Sequence, residues 1–371
     1  MMRKAVLTAT VGAAALAFGV AACSSSSSPS SGSSGNAGAK PKVGVILPET
    51  ATSARWANAD APAIQAECNK QNLDCTIQNA NGDTNAEKTI ADTMIKTDHV
   101  QVLVLASIDS TTGAAVTSEA HANGVKVIDY DRLVPGSNED YYVSFDGTAV
   151  GKAQGTALVA AVQAAGITKP DVVFIDGAPT DNNATLFANG YHSVIDPLIA
   201  SGSWKKSGEQ AIANWDNPTA GTTFTSMYNA DHNINVVMVA NDGMANAIIA
   251  DLKNLGINGK VVVSGQDATA QGLQHMLDGD QSFTIYKPAS QEAVPAIDLA
   301  AELANGKTPS ETFQNVTDPT SNQPVKSLLA TPITITKANI DQPIKDKYTN
   351  YSDVCTSAYA AKCAAAGITQ P

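Results

Sequence analysis

Short runs of apolar residues recur along the chain from residue 42 onward, and each run is followed by a segment with helical spacing of its apolar positions. The runs lie at residues 43–47, 102–105, 125–128, 172–175, 236–239 and 261–263. Continuous Val, Ile and Leu runs separated by helices are typical of parallel strands covered on both faces. The pattern therefore predicts an α/β fold with doubly wound parallel sheets, and the division of the runs at about residue 146 predicts two lobes.

The first 23 residues have the pattern of a secretory signal. Arg3 and Lys4 precede an uncharged apolar stretch over residues 5–22, which ends Val-Ala-Ala directly before Cys23. A cysteine at that place resembles the bacterial lipoprotein signal, in which this cysteine carries the lipid. A transmembrane anchor is the alternative, because the stretch is about long enough to span a bilayer. Its Ala and Gly content and the lack of a following basic cluster favour a signal peptide over residues 1–22, lipidation at Cys23 and an extracytoplasmic protein held at the outer face of the cell membrane.

Composition and charge restrict the class of protein further. Residues 23–40 are rich in Ser and Gly and predict a linker. The roughly 330 residues that follow exceed the usual size of a single hydrophobic core, which again indicates two lobes. The formal net charge of −12 is spread along the chain, so a nucleic-acid partner is not expected.

Four cysteines remain once Cys23 is assigned to the lipid. Cys68 and Cys75 form one local pair and Cys355 and Cys363 another, in a compartment that permits disulfides. A metal site is the alternative, but no CxxC motif is present and no histidine lies near either pair. Two local structural disulfides are therefore predicted, and no metal or cofactor is expected.

Polar and aromatic residues follow the predicted strands at the edge where open parallel sheets bind ligands. Charged and amide groups suit sugar hydroxyls, which donate and accept hydrogen bonds, while an indole suits the apolar faces of a sugar ring. For single residues the alternatives stay open, because a strand-end Asp such as Asp181 or Asp242 often caps a helix and a lone Trp often belongs to a core. The candidate binding residues are Arg55, Trp56, Asp109, Asp131, Arg132, Asp181, Asn183, Trp215, Asn241, Asp242, Asp267 and Lys287.

The segments around these residues resemble the monosaccharide-binding proteins of bacterial ABC transporters, in the xylose-binding and multiple-sugar-binding branch. The segments are Ser53-Ala54-Arg55-Trp56, Ala106-Ser107-Ile108-Asp109, Tyr130-Asp131-Arg132-Leu133, Asp181-Asn182-Asn183-Ala184, Asn241-Asp242-Gly243, Ser264-Gly265-Gln266-Asp267-Ala268 and Tyr286-Lys287-Pro288. The resemblance implies a type I periplasmic binding protein with two Rossmann-like lobes joined by three crossing strands. It implies an N-terminal lobe of residues 41–146 plus about 289–320 and a C-terminal lobe of residues 147–288 plus about 321–371.

By the same resemblance, each lobe would contribute residues that hold sugar hydroxyls. The first would supply Arg55, Asp131 and Arg132, and the second would supply Asp181, Asn183, Asn241, Asp267 and Lys287. Trp56 and Trp215 would sandwich the ring, with Asp109 and Asp242 as further candidates.

The function expected from the sequence is that of a lipid-anchored, monomeric substrate-binding subunit of a sugar importer. Its partners would be an ABC permease and the associated ATPase, and its ligand a monosaccharide, with D-xylose first and glucose, galactose or arabinose as alternatives. A sensor that presents the sugar to a receptor kinase or chemoreceptor is the other candidate. A carbohydrate-active enzyme is less well supported, because phosphate-binding, metalloprotease and hydrolase motifs are missing and the five histidines are isolated. No catalytic residue is expected.

Overall fold

In the computed structural model, which describes residues 39–371, the chain forms thirteen strands in three sheets and twelve α-helices. The strands are β1 (Lys42–Leu47), β2 (Asp74–Asn79), β3 (Val102–Leu105), β4 (Lys126–Tyr130), β5 (Tyr141–Phe145), β6 (Asp171–Asp176), β7 (Lys205–Ala211), β8 (Val236–Val239), β9 (Val262–Val263), β10 (Thr284–Tyr286), β11 (Gln314–Thr317), β12 (Pro324–Ala330) and β13 (Ile333–Ile335). The helices are α1 (Ala61–Lys70), α2 (Thr84–Lys96), α3 (Ser110–Ala122), α4 (Gly147–Ala164), α5 (Asn182–Ala200), α6 (Asn217–Ala230), α7 (Asp242–Asn254), α8 (Ala270–Asp278), α9 (Ser290–Ala304), α10 (Gln342–Lys345), α11 (Tyr351–Val354) and α12 (Ala360–Ala365).

The first sheet has seven strands in the order β11-β12-β5-β4-β3-β1-β2. All neighbouring strands in it are parallel except β11, which runs antiparallel to β12 at the edge. The second sheet, β7-β6-β8-β9, is entirely parallel, and β10 pairs with β13 in a separate antiparallel ribbon. The predicted α/β class with parallel sheets is confirmed.

Apolar strands covered by helices form the cores. In the first sheet, Val45 and Val104 are fully buried at adjacent positions of β1 and β3. Helix α9 packs on the same sheet, because its residues Ala296 and Ile297 belong to the cluster that contains β1 and β3. Residues of α9 therefore return to the first sheet although they follow β10 in the chain.

Strand β12 belongs to the first sheet. It pairs with β5, with Leu328 opposite Val143, and the lobe boundaries expected from the sequence stay a prediction. The apolar-run criterion misses β12 because its N-terminal half alternates exposed and buried positions.

The C-terminal segment packs against α8 and β10. Ile344 and Val354 are buried in one cluster with Leu273 and Met276 of α8. Disulfides join Cys68 to Cys75, between α1 and β2, and Cys355 to Cys363, around α12. Cys23, the expected lipidation site, lies outside the described residues, and within residues 39–371 no helix is both long and apolar enough to cross a membrane.

Candidate functional site

A cleft between the carboxyl ends of the two parallel sheets collects most of the predicted binding residues. The loop after β1 supplies Arg55 and Trp56, and the end of β4 supplies Asp131 and Arg132. The opposite wall is built by residues after β6, β8, β9 and β10, namely Asp181, Asn183, Asn241, Asp267 and Lys287. The edge predicted from the order of elements is therefore the edge at which these side chains meet.

Arg55 is the centre of a buried ion-pair network. Its side chain donates to Asp131 at 2.8 Å, to Asp60 at 2.7 and 2.8 Å, and to Glu292 at 2.6 Å. Tyr130 donates its hydroxyl to the same Asp60 carboxylate at 2.6 Å. Asp60 follows Arg55 by five residues, Asp131 follows β4 and Glu292 lies on α9, so three parts of the chain fix the guanidinium in place.

The pKa values of two carboxyl groups in this network shift in opposite directions. Burial alone would raise the pKa of Asp131, but Lys287 and then Arg55 outweigh it and hold that pKa well below its ordinary value. Burial raises the pKa of Glu292 to about 8, and the Asp131 carboxylate adds to this effect. Of these two carboxyl groups, Asp131 is therefore the one that ionises more readily.

Arg132 and Trp215 meet at one carboxylate oxygen. The Arg132 Nε and Trp215 Nε1 atoms each lie 3.1 Å from Asp181 Oδ2, while the other Asp181 oxygen accepts from the Asn183 backbone N–H at 2.9 Å. Asp181 thus caps α5 and also faces the cleft. The Arg132 guanidinium is further held by a hydrogen bond of 3.0 Å to the Ser107 carbonyl.

Polar contacts to Asp131 connect the two walls of the cleft. Lys287 Nζ lies 3.5 Å from Asp131 Oδ2, and Asn183 donates to the Asp131 side chain at 3.1 Å. Lys287 Nζ also lies 3.6 Å from Asp267 Oδ1 on its own wall. Asp131 and Asp267 both have left-handed backbones, with φ of 62° and 94°. Such conformations cost roughly 1–3 kcal/mol each and are found at functional sites that over-determine them.

Two indoles lie in the same cleft. Trp56 and Trp215 are almost wholly buried, and the Arg55 and Arg132 guanidiniums lie 4.6 and 5.4 Å from the Trp56 ring centroid. The Trp215 ring packs directly on Gly177, where a Cβ atom would come within 2.1 Å of the ring. Two apolar ring systems therefore line the cavity together with the charged groups.

These side chains enclose a cavity of about 30 Å³. Its lining includes ten of the twelve predicted binding residues together with five that the sequence analysis did not select. The additional residues are Glu49, Thr52, Ser53, Phe187 and Gln266.

Asp109 and Asp242, the other two predicted binding residues, do not line this cavity. The Asp109 carboxylate caps α3 through the Thr112 backbone N–H at 2.8 Å. Asp242 is fully buried and accepts from Thr269 and Gln281, each at 2.8 Å. Asp109 is therefore a helix cap, whereas α7 is capped by Asn241, which accepts from the Met244 backbone N–H at 2.9 Å.

Asp60 and Glu292 are the important residues that sequence reasoning missed. Asp60 lies five positions after Arg55, a spacing that does not place two side chains on one face of an α-helix, and the π-helical turn at Trp56–Asp60 brings them together. Glu292 had no local signal, because it comes from a helix 237 positions away that reaches the first sheet only in the folded chain.

Comparison with known proteins gives consistent results. Residues 43–308 match the family described as periplasmic binding protein domain. The chain is 35% identical over 276 residues to the D-xylose-binding periplasmic protein of Haemophilus influenzae, which covers 73% of this chain and 80% of the relative. It is 33% identical over 318 residues to the multiple sugar-binding periplasmic receptor ChvE of Rhizobium radiobacter, covering 82% of this chain and 89% of the relative.

A solved structure has the same architecture. The carbohydrate transporter solute-binding protein of Chloroflexus aurantiacus, in complex with D-glucose, is 28% identical, with a TM-score of 0.75. The match covers 85% of this chain and 98% of that structure. With the profile match over more than half of its length and these relatives, the chain belongs to the periplasmic binding protein domain family.

Proposed function

We propose that the protein binds a monosaccharide in the cleft and delivers it to an ABC importer. The observation that carries the proposal is the cleft itself, in which Arg55, Arg132 and Lys287 are paired with carboxylates between two indoles. Each sugar hydroxyl both donates and accepts hydrogen bonds, so a neutral polyol can insert between a cation and a carboxylate and bond to both.

D-xylose is the first choice among monosaccharides. Relatives at 35% identity in Haemophilus influenzae and Escherichia coli are named for D-xylose, whereas the 28% identical structure is a complex with D-glucose. Glucose, galactose and arabinose are the alternatives. The multiple-sugar relatives support a cleft that accepts more than one of them.

Ligand entry requires the two walls to separate. A cavity of about 30 Å³ has room for on the order of two water molecules, which is far less than a sugar ring occupies. We infer a hinge motion of two lobes, one built on the first sheet with α9 and one on the second sheet with the C-terminal segment. The segments after β5, before α9 and after β12 are the connections that would bend.

The transport context rests on the family and on the N-terminal sequence. Lipidation at Cys23 would hold the monomeric protein at the outer face of the cell membrane, next to the permease and its ATPase subunit. The protein would bind sugar without cofactor or catalysis.

Calorimetric titration of the mature protein with a panel of monosaccharides tests the proposal. We expect D-xylose or one of the three alternatives to bind, and uncharged non-sugar polyols to bind more weakly. If no monosaccharide in the panel binds to a protein shown to be folded, the proposed function is wrong.

A further inference from the structure

We propose that the C-terminal end of α8 holds a binding site for a divalent metal ion of the zinc type, with His275, Asp278 and Asp280 as its protein ligands. None of the three lines the cleft cavity, so the site is separate from the proposed sugar site. The proposal does not depend on the identity of the sugar.

Local backbone geometry brings the three side chains together. His275 and Asp278 lie three positions apart and therefore share a face of α8. Gly279 ends the helix in the left-handed region, with φ of 85°, and the Asp280 backbone N–H bonds to the His275 carbonyl at 2.9 Å. This turn folds Asp280 back beneath the histidine, so one ligand atom from each residue lies within 4.8 Å of the other two.

The imidazole gives the independent indication of a ligand. His275 is 7% exposed, and neither ring nitrogen has a hydrogen-bond partner in the part of the chain that the structure describes. A buried polar group without a hydrogen-bond partner destabilises the folded state. Coordination would give one imidazole nitrogen a partner, and the same metal ion would be bound by the two carboxylates.

Two lysines already contact these carboxylates and would compete with the ion. Lys253 Nζ lies 2.9 Å from Asp280 Oδ2, and Lys362 contacts Asp278, which also accepts from Tyr359 at 2.9 Å. The lysine side chains are 40% and 51% exposed, so both can turn into solvent when a metal binds.

Outer contacts would keep the carboxylates in place. Asn258 donates to Asp280 Oδ1 at 3.0 Å and leaves Oδ2 for the metal. Because Tyr359 and Lys362 lie around the second disulfide, the site joins α8 to the C-terminal segment.

The ligand set selects the kind of ion. Imidazole nitrogen and carboxylate oxygen are both zinc ligands, and three protein ligands leave a fourth position open, whereas calcium and magnesium prefer oxygen ligands alone. Metal–ligand bonds of about 2.1 Å in a tetrahedron require ligand atoms roughly 3.5 Å apart. The distances between the three ligand atoms therefore need to shorten by about 1 Å when the ion binds.

The test is titration of the full-length protein with zinc sulfate after removal of metal by a chelator. We expect one zinc ion per chain, at least about tenfold weaker binding in Asp280→Asn and His275→Leu, and tighter binding in Lys253→Met, which removes the competing ammonium. His232→Ala, a change at an exposed histidine, is the matched control and should bind like wild type. Zinc should also raise the melting temperature of wild type but not of Asp280→Asn.

Two results would overturn the proposal. One is no zinc uptake by either wild type or Lys253→Met. The other is uptake that Asp280→Asn leaves unchanged, which would place the ion elsewhere. Asp280→Asn keeps the test valid if His275→Leu does not fold, because it conserves the shape of the side chain.

Discussion

At the scale of single residues, Asp131 is the point at which both walls of the cleft meet. It receives Arg55 from its own wall and Asn183 and Lys287 from the opposite one. Its place after a buried strand made it predictable from sequence. The partner Glu292 was not predictable, because nothing in the spacing of α9 indicates which residue will reach Arg55.

Replacement of Arg132 tests the charged lining. In Arg132→Ala, Asp181 and the sugar hydroxyls near it lose a charge-assisted partner, which is worth about 1.5–3 kcal/mol. We expect sugar affinity to fall by about tenfold to a hundredfold in calorimetric titration. Lys88→Ala, at an exposed position on α2, should bind normally; equal affinities in the two variants would contradict the assignment.

Asp242 predicts a pH dependence of stability. Burial raises its pKa from an ordinary value of 3.8 to about 7. Between these values the folded protein keeps a proton that the unfolded chain has released, so the free energy of unfolding decreases as the pH rises. The contribution is fully present below about pH 3.8 and is lost as the pH rises through 7.

Urea unfolding of wild type and Asp242→Asn from pH 4 to pH 8 measures this contribution. The variant cannot titrate at this position, so the wild-type stability should fall relative to the variant by on the order of a few kcal/mol across that range. If the free energy of unfolding changes with pH in the same way in both proteins, the pKa of Asp242 is not raised in the folded state.

At the scale of elements, the more deeply buried strands were the easier ones to recognise in the sequence. The fully buried strands β3 and β8 are continuous apolar runs, which the pattern located directly. Strand β7 was missed because it is an edge strand with sequence Lys-Lys-Ser-Gly-Glu-Gln-Ala and no fully buried position. Strand β12 was missed because only alternate positions in its first half face the core.

The contact between the end of β6 and the Trp215 loop gives a prediction at this scale. In Gly177→Ala the new methyl group would overlap the Trp215 ring, so the indole must leave its place in the cleft. We expect sugar affinity to fall by about tenfold or more, equivalent to about 1.4 kcal/mol, with a changed near-ultraviolet circular dichroism spectrum.

Gly208→Ala is the matched control, since its added atom meets only the flexible end of Met227. It should retain affinity. If Gly177→Ala also binds with wild-type affinity, the Trp215 ring is not part of the sugar site.

At the scale of the whole molecule, the sequence predicted two parallel sheets and a ligand edge between them. The return of α9 and β12 to the first sheet is a long-range pairing that depends on the packed cores and has no local signature. The short distance between the two cleft walls could not be predicted either, because it depends on contacts across the cleft, such as that between Lys287 and Asp131.

Attachment of the whole protein to the membrane is a further prediction at this scale. Cys23→Ser removes the thiol to which the lipid would be attached, so the protein should move from the membrane fraction to the soluble extracytoplasmic fraction. Immunoblotting of the separated fractions measures this shift. Retention at wild-type levels in the membrane fraction would exclude a lipid anchor at this position.

The pairing of every cation in the cleft lining has a consequence for selectivity. Arg55, Arg132 and Lys287 each already face a carboxylate, so the lining has no positive charge in excess. A uronic acid or a sugar phosphate would bring a further negative charge into this buried space, where the loss of its hydration is not compensated. As the proposed sugar site, the cleft would discriminate by charge, admitting neutral carbohydrate and leaving acidic or phosphorylated sugars outside.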